Sequence, residues 1–149
     1  MRVSRSVSVG VPPGRAFVIF TEQIGRWWPL GEGFAFAGDR WQDMVIEPWE
    51  GGRVYERARD GEVFHIGSVT AFEPPRRIVF TWGEATTEWD GHTEVEVRFT
   101  EEEGGTRVEL EHRGFERVGS AAEETMSDYR RGWPMVLDRF AKHAAEEAR

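Results

Sequence analysis

The sequence predicts an α+β domain in which one curved antiparallel sheet of six or seven strands wraps a long C-terminal helix, and three observations carry that expectation. TEVEVRF (93–99) and TRVELEH (106–112) alternate apolar and charged residues on either side of the turn EEEGG, the period-two signature of a hairpin with one buried face. From Met44 onward the strand-like runs MVIEPW, RVYERA, VFHIGSVTAF and RIVFTW follow one another. Gly51-Gly52, Asp60-Gly61 and Pro74-Pro75 mark turns between them, short enough to make neighbours antiparallel. Finally, from about Ala121 to Ala148 the residues Met126, Tyr129, Trp133, Val136, Leu137, Phe140 and Ala144 recur in three- and four-residue steps, the apolar stripe of a helix that faces a sheet.

The remaining elements follow in order. VSRSVSV (3–9) alternates and reads as a strand, and VPPGRAFVIF supplies a proline start for a helix carrying Ala16, Phe17, Ile19 and Phe20. TEQIGRWWP (21–29) reads as a second short helix opened by Thr21 and closed by Pro29. The Gly-rich aromatic loop LGEGFAFAGDRW after it is expected to act as a lid. In the final hairpin, Glu94, Glu96 and Arg98 share one face with Arg107, Glu109 and Glu111, which predicts a solvated outer surface. The long helix then covers the inner face. Its centre reads Gly132-Trp133-Pro134, although an interior proline costs roughly 3 kcal/mol. The sequence therefore predicts a bent or loosened helix there, with Trp133 buried as core or as cavity wall.

Composition bounds the function. A chain of 149 residues fits a single domain, 1–149. With 19 Lys and Arg against 27 Asp and Glu, the net charge of -8 opposes nucleic acid and anionic membrane surfaces. There is no cysteine, so disulfides, thiol nucleophiles and thiolate metal sites are excluded. No long apolar run suggests a signal peptide or membrane span, and a cytoplasmic protein is expected. No histidine pair stands at metal-ligand spacing, and no phosphate-binding loop or nucleophile elbow occurs, so neither a metal nor a cofactor is expected. Seven Trp and ten Phe in a chain that is 31% charged must either fill the core or line a pocket.

The element order, with WWP at 27–29, PWEGGRVYE at 48–56, PPRRIVFTW at 74–82 and the terminal GWPMVLDRF, resembles the START-like (SRPBCC) superfamily and its helix-grip fold. Within it the chain is similar to bacterial proteins that resemble the C-terminal domain of the activator of heat-shock protein 90 ATPase. The resemblance implies a cavity between sheet and C-terminal helix, used in the superfamily for lipids, polyketides and other apolar ligands. It leaves open a homodimer and a chaperone partner.

Candidate site residues follow from strand and helix parity. Ile78, Phe80 and Trp82 share a face placed toward the cavity, with Val79 and Thr81 outward. Trp27 and Trp28 are adjacent on a short helix, so one of them, with Trp28 the candidate, is expected to turn inward. Phe34, Phe36 and Trp41 belong to the expected lid, and Trp89 to a loop that could form the opposite rim. The expected ligand-binding set is Trp28, Phe36, Phe80, Trp82, His112, Met126, Tyr129 and Trp133. His112 lies on the buried face of its strand and reads either as a proton carrier or as a core-edge histidine satisfied by a backbone carbonyl. Glu56, Tyr55 and His65 are the other catalytic candidates; Val54 argues that Glu56 points inward, and a bulge at Gly67 would decide the direction of His65. His92 and His143 are expected in solvent. The leading expectation is a module that binds a hydrophobic small molecule. The alternatives are a polyketide cyclase or dehydratase-like enzyme using His112, and a chaperone-associated interaction domain.

Overall fold

The computed structural model describes residues 1–148. β1 (Arg2–Val9) is followed by two helices, α1 (Pro13–Glu22) and α2 (Ile24–Trp27). Short 3-10 turns at Leu30–Glu32 and Gly38–Arg40 then lead into β2 (Trp41–Ile46), β3 (Arg53–Ala58), β4 (Val63–Glu73), β5 (Arg77–Trp82), β6 (Thr93–Glu102) and β7 (Gly105–Arg113). A 3-10 turn at Phe115–Val118 precedes α3 (Ala122–Glu147). The strands form one sheet in the order β1-β7-β6-β5-β4-β3-β2, and every neighbouring pair is antiparallel. The sheet curls around α3 in the helix-grip arrangement, and Val95, Val97, Phe99, Val108 and Leu110 share one core with Trp133, Val136, Leu137 and Phe140. Among the described residues no helix is long and apolar enough to cross a membrane.

Several local expectations change. Thr21 does not open a second helix: it lies inside α1, buried, with Oγ1 donating to the Phe17 carbonyl at 2.8 Å. Both Trp27 and Trp28 are buried, because the helix ends between them and Trp28 adopts an extended conformation (φ -61°, ψ 129°). Their indole N–H groups donate to the carbonyls of Ile19 and Phe34 respectively. β2 starts at Trp41 and stops before Trp49, which is exposed in a turn where Arg53 donates to the Glu47 carboxylate. His143 is partly buried, with Nε2 2.9 Å from the Gln23 side-chain oxygen, while His92 is exposed as expected.

The outer face of the sheet is not uniformly wet. Val79 and Thr81 point away from α3 yet are buried; Thr81 Oγ1 accepts the Ser68 N–H, and Val79 pairs across the sheet with Glu96. Glu96 is itself only 3% exposed, and its carboxylate accepts from Arg77 Nε (2.5 Å), Arg98 Nε (2.8 Å) and Arg113 Nη1 (2.6 Å). Burial alone would raise its pKa; the bonds from Arg113, Arg77 and Arg98 outweigh burial and hold it at about 2. Glu96→Ala is expected to lower stability by about 2 kcal/mol, the scale of hydrogen bonds to a charged group. Urea denaturation measures this, and a loss under about 0.5 kcal/mol would reduce the cluster to a solvated surface network.

α3 runs unbroken through Pro134. Proline has no N–H, so the Arg130 carbonyl four residues earlier has no intrahelical donor. Arg5 Nη2 of β1 reaches that oxygen at 3.3 Å. From Trp133 onward the inward side chains are fully buried, whereas Met126 and Tyr129 in the first half are only partly so. An aromatic-lined cavity lies beside that first half.

Candidate functional site

Between the N-terminal half of α3 and the loop 33–37 lies a cavity of about 320 Å³. Six aromatic rings line it, those of Trp28, Phe34, Phe36, Trp82, Tyr129 and Trp133, together with Gly33, Ala35, Asp128, Gly132 and Val136. Trp28 stacks at a tilt on Trp82 (5.5 Å between centroids) and meets Trp133 edge-on (5.8 Å). Phe36 lies 6.0 Å from Trp82. The walls are therefore rings braced by other rings, a surface that resists collapse and offers broad apolar area.

The loop is held from three sides. Glu56, 1% exposed, accepts the backbone N–H groups of Phe36 (2.8 Å) and Ala37 (2.7 Å), one on each carboxylate oxygen. Trp28 Nε1 donates to the Phe34 carbonyl at 2.9 Å. Gly132 completes the contact, since a Cβ there would stand 3.2 Å from the Phe34 ring. The unusual Gly-Trp-Pro helix centre thus has a local logic. Glycine admits the loop, tryptophan makes the wall, and proline frees a carbonyl for β1.

His112 lies behind the wall. Trp133 Nε1 can only donate, and it reaches His112 Nδ1 at 3.0 Å, which makes Nδ1 the acceptor. Thr93 Oγ1 donates to the Trp82 carbonyl at 3.0 Å, so its contact with His112 Nε2 at 2.6 Å requires that nitrogen to carry the proton. A single directed chain results, from Trp133 through His112 and Thr93 to the backbone of Trp82. This network assigns the neutral Nε2–H tautomer. Burial pushes the His112 pKa down to about 3, so the ring stays neutral in ordinary buffers.

The structure brings Trp28, Phe36, Trp82, Tyr129 and Trp133 to the cavity and leaves three expected contacts out of its lining. Phe80 sits two residues deeper on β5 and is 1% exposed, Met126 lies a turn before the opening, and His112 is sealed behind Trp133. His112 is satisfied by two side chains, not by a backbone carbonyl. The catalytic candidates do not converge. Tyr55 lies between the guanidinium groups of Arg53 and Arg57 (4.8 and 5.6 Å from its ring), Glu56 is committed to the loop backbone, and exposed His65 pairs with Glu84 at 2.8 Å. The direction of His65 follows from the bulge in which Tyr55 pairs with it while Val54 pairs with Gly67; a Cβ at Gly67 would meet the Thr81 carbonyl oxygen at 1.8 Å. Trp41 of the expected lid is exposed, while Trp89 packs over Gly83 and edge-on to Tyr129. Sequence reading missed Thr93, although it shares inward parity with Val95, and it missed Gly132 as a docking point for Phe34. Among the described residues no three His, Asp or Glu side chains gather as a metal-binding group.

A family model described as Activator of Hsp90 ATPase homolog 1-like protein matches residues 10–145. No protein of curated function matches the chain in sequence. Among solved structures, protein MLL2253 from Mesorhizobium loti is 20% identical with a TM-score of 0.72, the alignment covering 95% of each chain. The Aha1 dimer from Colwellia psychrerythraea is 15% identical with a TM-score of 0.69, over 97% of this chain and 96% of that one. CalU16 from Micromonospora echinospora is 22% identical with a TM-score of 0.61, over 99% of this chain and 78% of that one. These likenesses establish a shared fold.

Proposed function

The chain belongs to the Activator of Hsp90 ATPase homolog 1-like family, and from that premise we propose that it binds an apolar, aromatic small molecule in the cavity between α3 and the loop 33–37. The observation that carries this reading is the lining: six aromatic rings around about 320 Å³, with Asp128 the one acidic side chain and neither Lys nor Arg. The cyclase-like alternative loses its proton carrier, because His112 is outside the lining and both its nitrogens are engaged. An interaction module is the second reading, joining two copies of the chain or a copy with the chaperone that the family description names. Its support is the likeness to the Colwellia dimer and the exposure of Trp49 (54%) and Trp41 (41%).

The test is a titration with a panel of flat aromatic compounds, read by tryptophan fluorescence and thermal shift. A ligand at 100 times its dissociation constant should stabilise the fold by roughly 2.7 kcal/mol. Gly132→Leu, whose side chain would press on the Phe34 ring and crowd the cavity, should weaken binding about 100-fold, the equivalent of one lost apolar side-chain site. Unchanged quenching in that variant would move the ligand elsewhere. Silence across the panel, with two copies associating in light scattering, would favour the interaction module.

A further inference from the structure

Tyr129 and Trp82 both line the cavity, and Trp82 Nε1 lies 2.9 Å from the Tyr129 hydroxyl oxygen. An indole N–H donates only, so the phenol oxygen is the acceptor in this pair and its own hydrogen is left to donate to another group. Among the described residues that hydrogen has no acceptor. The ring cannot swing away to find one: it is packed edge-on against His112 (4.7 Å between centroids) and Trp89 (6.3 Å), and at a tilt against Phe115 (5.8 Å). A donor in an apolar wall is costly to leave unmet, and it discriminates strongly in favour of a ligand that meets it.

Resting on the reading of the cavity as a small-molecule site, we infer that the ligand class is an aromatic compound bearing an uncharged carbonyl oxygen, which accepts the Tyr129 hydroxyl. The charge pattern selects neutral acceptors over carboxylates. The lining carries neither Lys nor Arg to offset an anion, and Asp128, the one charged group, is already paired with Arg131. Burial pushes the Tyr129 pKa up to about 12 against the lowering effect of the Trp82 bond, so the hydroxyl keeps its proton. The chain Trp82 N–H to Tyr129 O–H to carbonyl is cooperative, because accepting from the indole makes the phenol a better donor.

Fluorene and 9-fluorenone share one tricyclic frame and differ only in the carbonyl, which makes them the probe pair. Dissociation constants are measured for the wild type and Tyr129→Phe by tryptophan quenching, with the carbonyl stretch of bound fluorenone recorded by infrared spectroscopy. Tyr129→Phe should weaken fluorenone about 10-fold, the worth of one hydrogen bond. Fluorene should change by less than about 2-fold, which also shows that the wall survives the loss of a partner for Trp82. The bound carbonyl stretch should sit at lower frequency in the wild type than in the variant. Fluorenone affinity and stretch that do not respond to the substitution, or an equal loss for both compounds, overturn the inference and leave the cavity as a site of another class. Failure of both compounds to bind the wild type overturns the small-molecule site together with the inference.

Discussion

Acid should weaken this protein well before its carboxylates titrate. His112 has a pKa of about 3 when folded against 6.5 when exposed, so the unfolded chain binds one more proton than the folded one across that interval. The stability that His112 contributes is fully present above pH 6.5 and is lost as pH falls toward the folded value. The expected slope reaches about 1.4 kcal/mol per pH unit, and the whole interval amounts to roughly 5 kcal/mol at most. Glu96 adds to the loss with the same sign, but lower down: its stabilisation is present above about 4.5 and disappears toward its folded value of about 2. Urea denaturation at a series of pH values separates the two. Between pH 6.5 and 5 the wild type should lose stability while His112→Gln, less stable at neutral pH, stays flat. A wild-type profile that is flat over that range would mean that His112 is not held neutral by the fold.

The second large effect is expected from Trp133→Ala. Removing a fully buried indole from a core costs about 3–5 kcal/mol. Here it also strands the Nδ1 acceptor of His112 and removes one wall of the cavity. A titration of His112 by NMR distinguishes these consequences from simple loss of packing. With Nδ1 open to water through the new space, its pKa should rise toward the ordinary histidine range, and the acid slope should shrink with it. Trp133→Phe keeps most of the volume and removes only the donor, so a similar rise there would identify the hydrogen bond as the cause. A drop under about 1 kcal/mol for Trp133→Ala would contradict the packing described.

Much of this architecture was legible because it is periodic. RVYERA and RIVFTW coincide with β3 and β5 at both ends, and the alternation in TEVEVRF and TRVELEH assigned the inner face correctly, since a strand has only two faces to choose from. The stripe on α3 likewise marked the residues that meet the sheet. What periodicity cannot convey is what arrives from elsewhere in the chain. Glu56 could be placed inward by parity, but its task depends on backbone N–H groups 19 and 20 residues earlier. Glu96 read as solvated because only Arg98 shares its local pattern on β6, while Arg77 and Arg113 reach it from β5 and β7. The two adjacent tryptophans both turned inward because the helix ended between them, and a helical wheel assumes that it continues.

The cavity was only partly visible for a related reason. Aromatic content announced large rings, and five of the eight expected contacts line the opening. Depth along each element decided the others: Phe80 and His112 lie on the predicted face but too far in, and Met126 too near the start of its helix. Parity gives direction, not distance.

The bond from Arg5 to the carbonyl released by Pro134 joins groups 125 residues apart in the chain. It is one of several ties between the first strand and the end of the molecule: β1 pairs along its whole length with β7, and Thr106 anchors the chain at Val11. During synthesis the first strand therefore emerges long before β7, its partner in the sheet, and the helix that fills the sheet emerges after both. Closing such distant contacts is entropically slow, so the sheet can close only after β7 and α3 have both been made. Until then the Val-rich edge of β1 is an unpaired strand in a crowded cell, and its interspersed serines and arginines keep that waiting segment from finding the wrong neighbour.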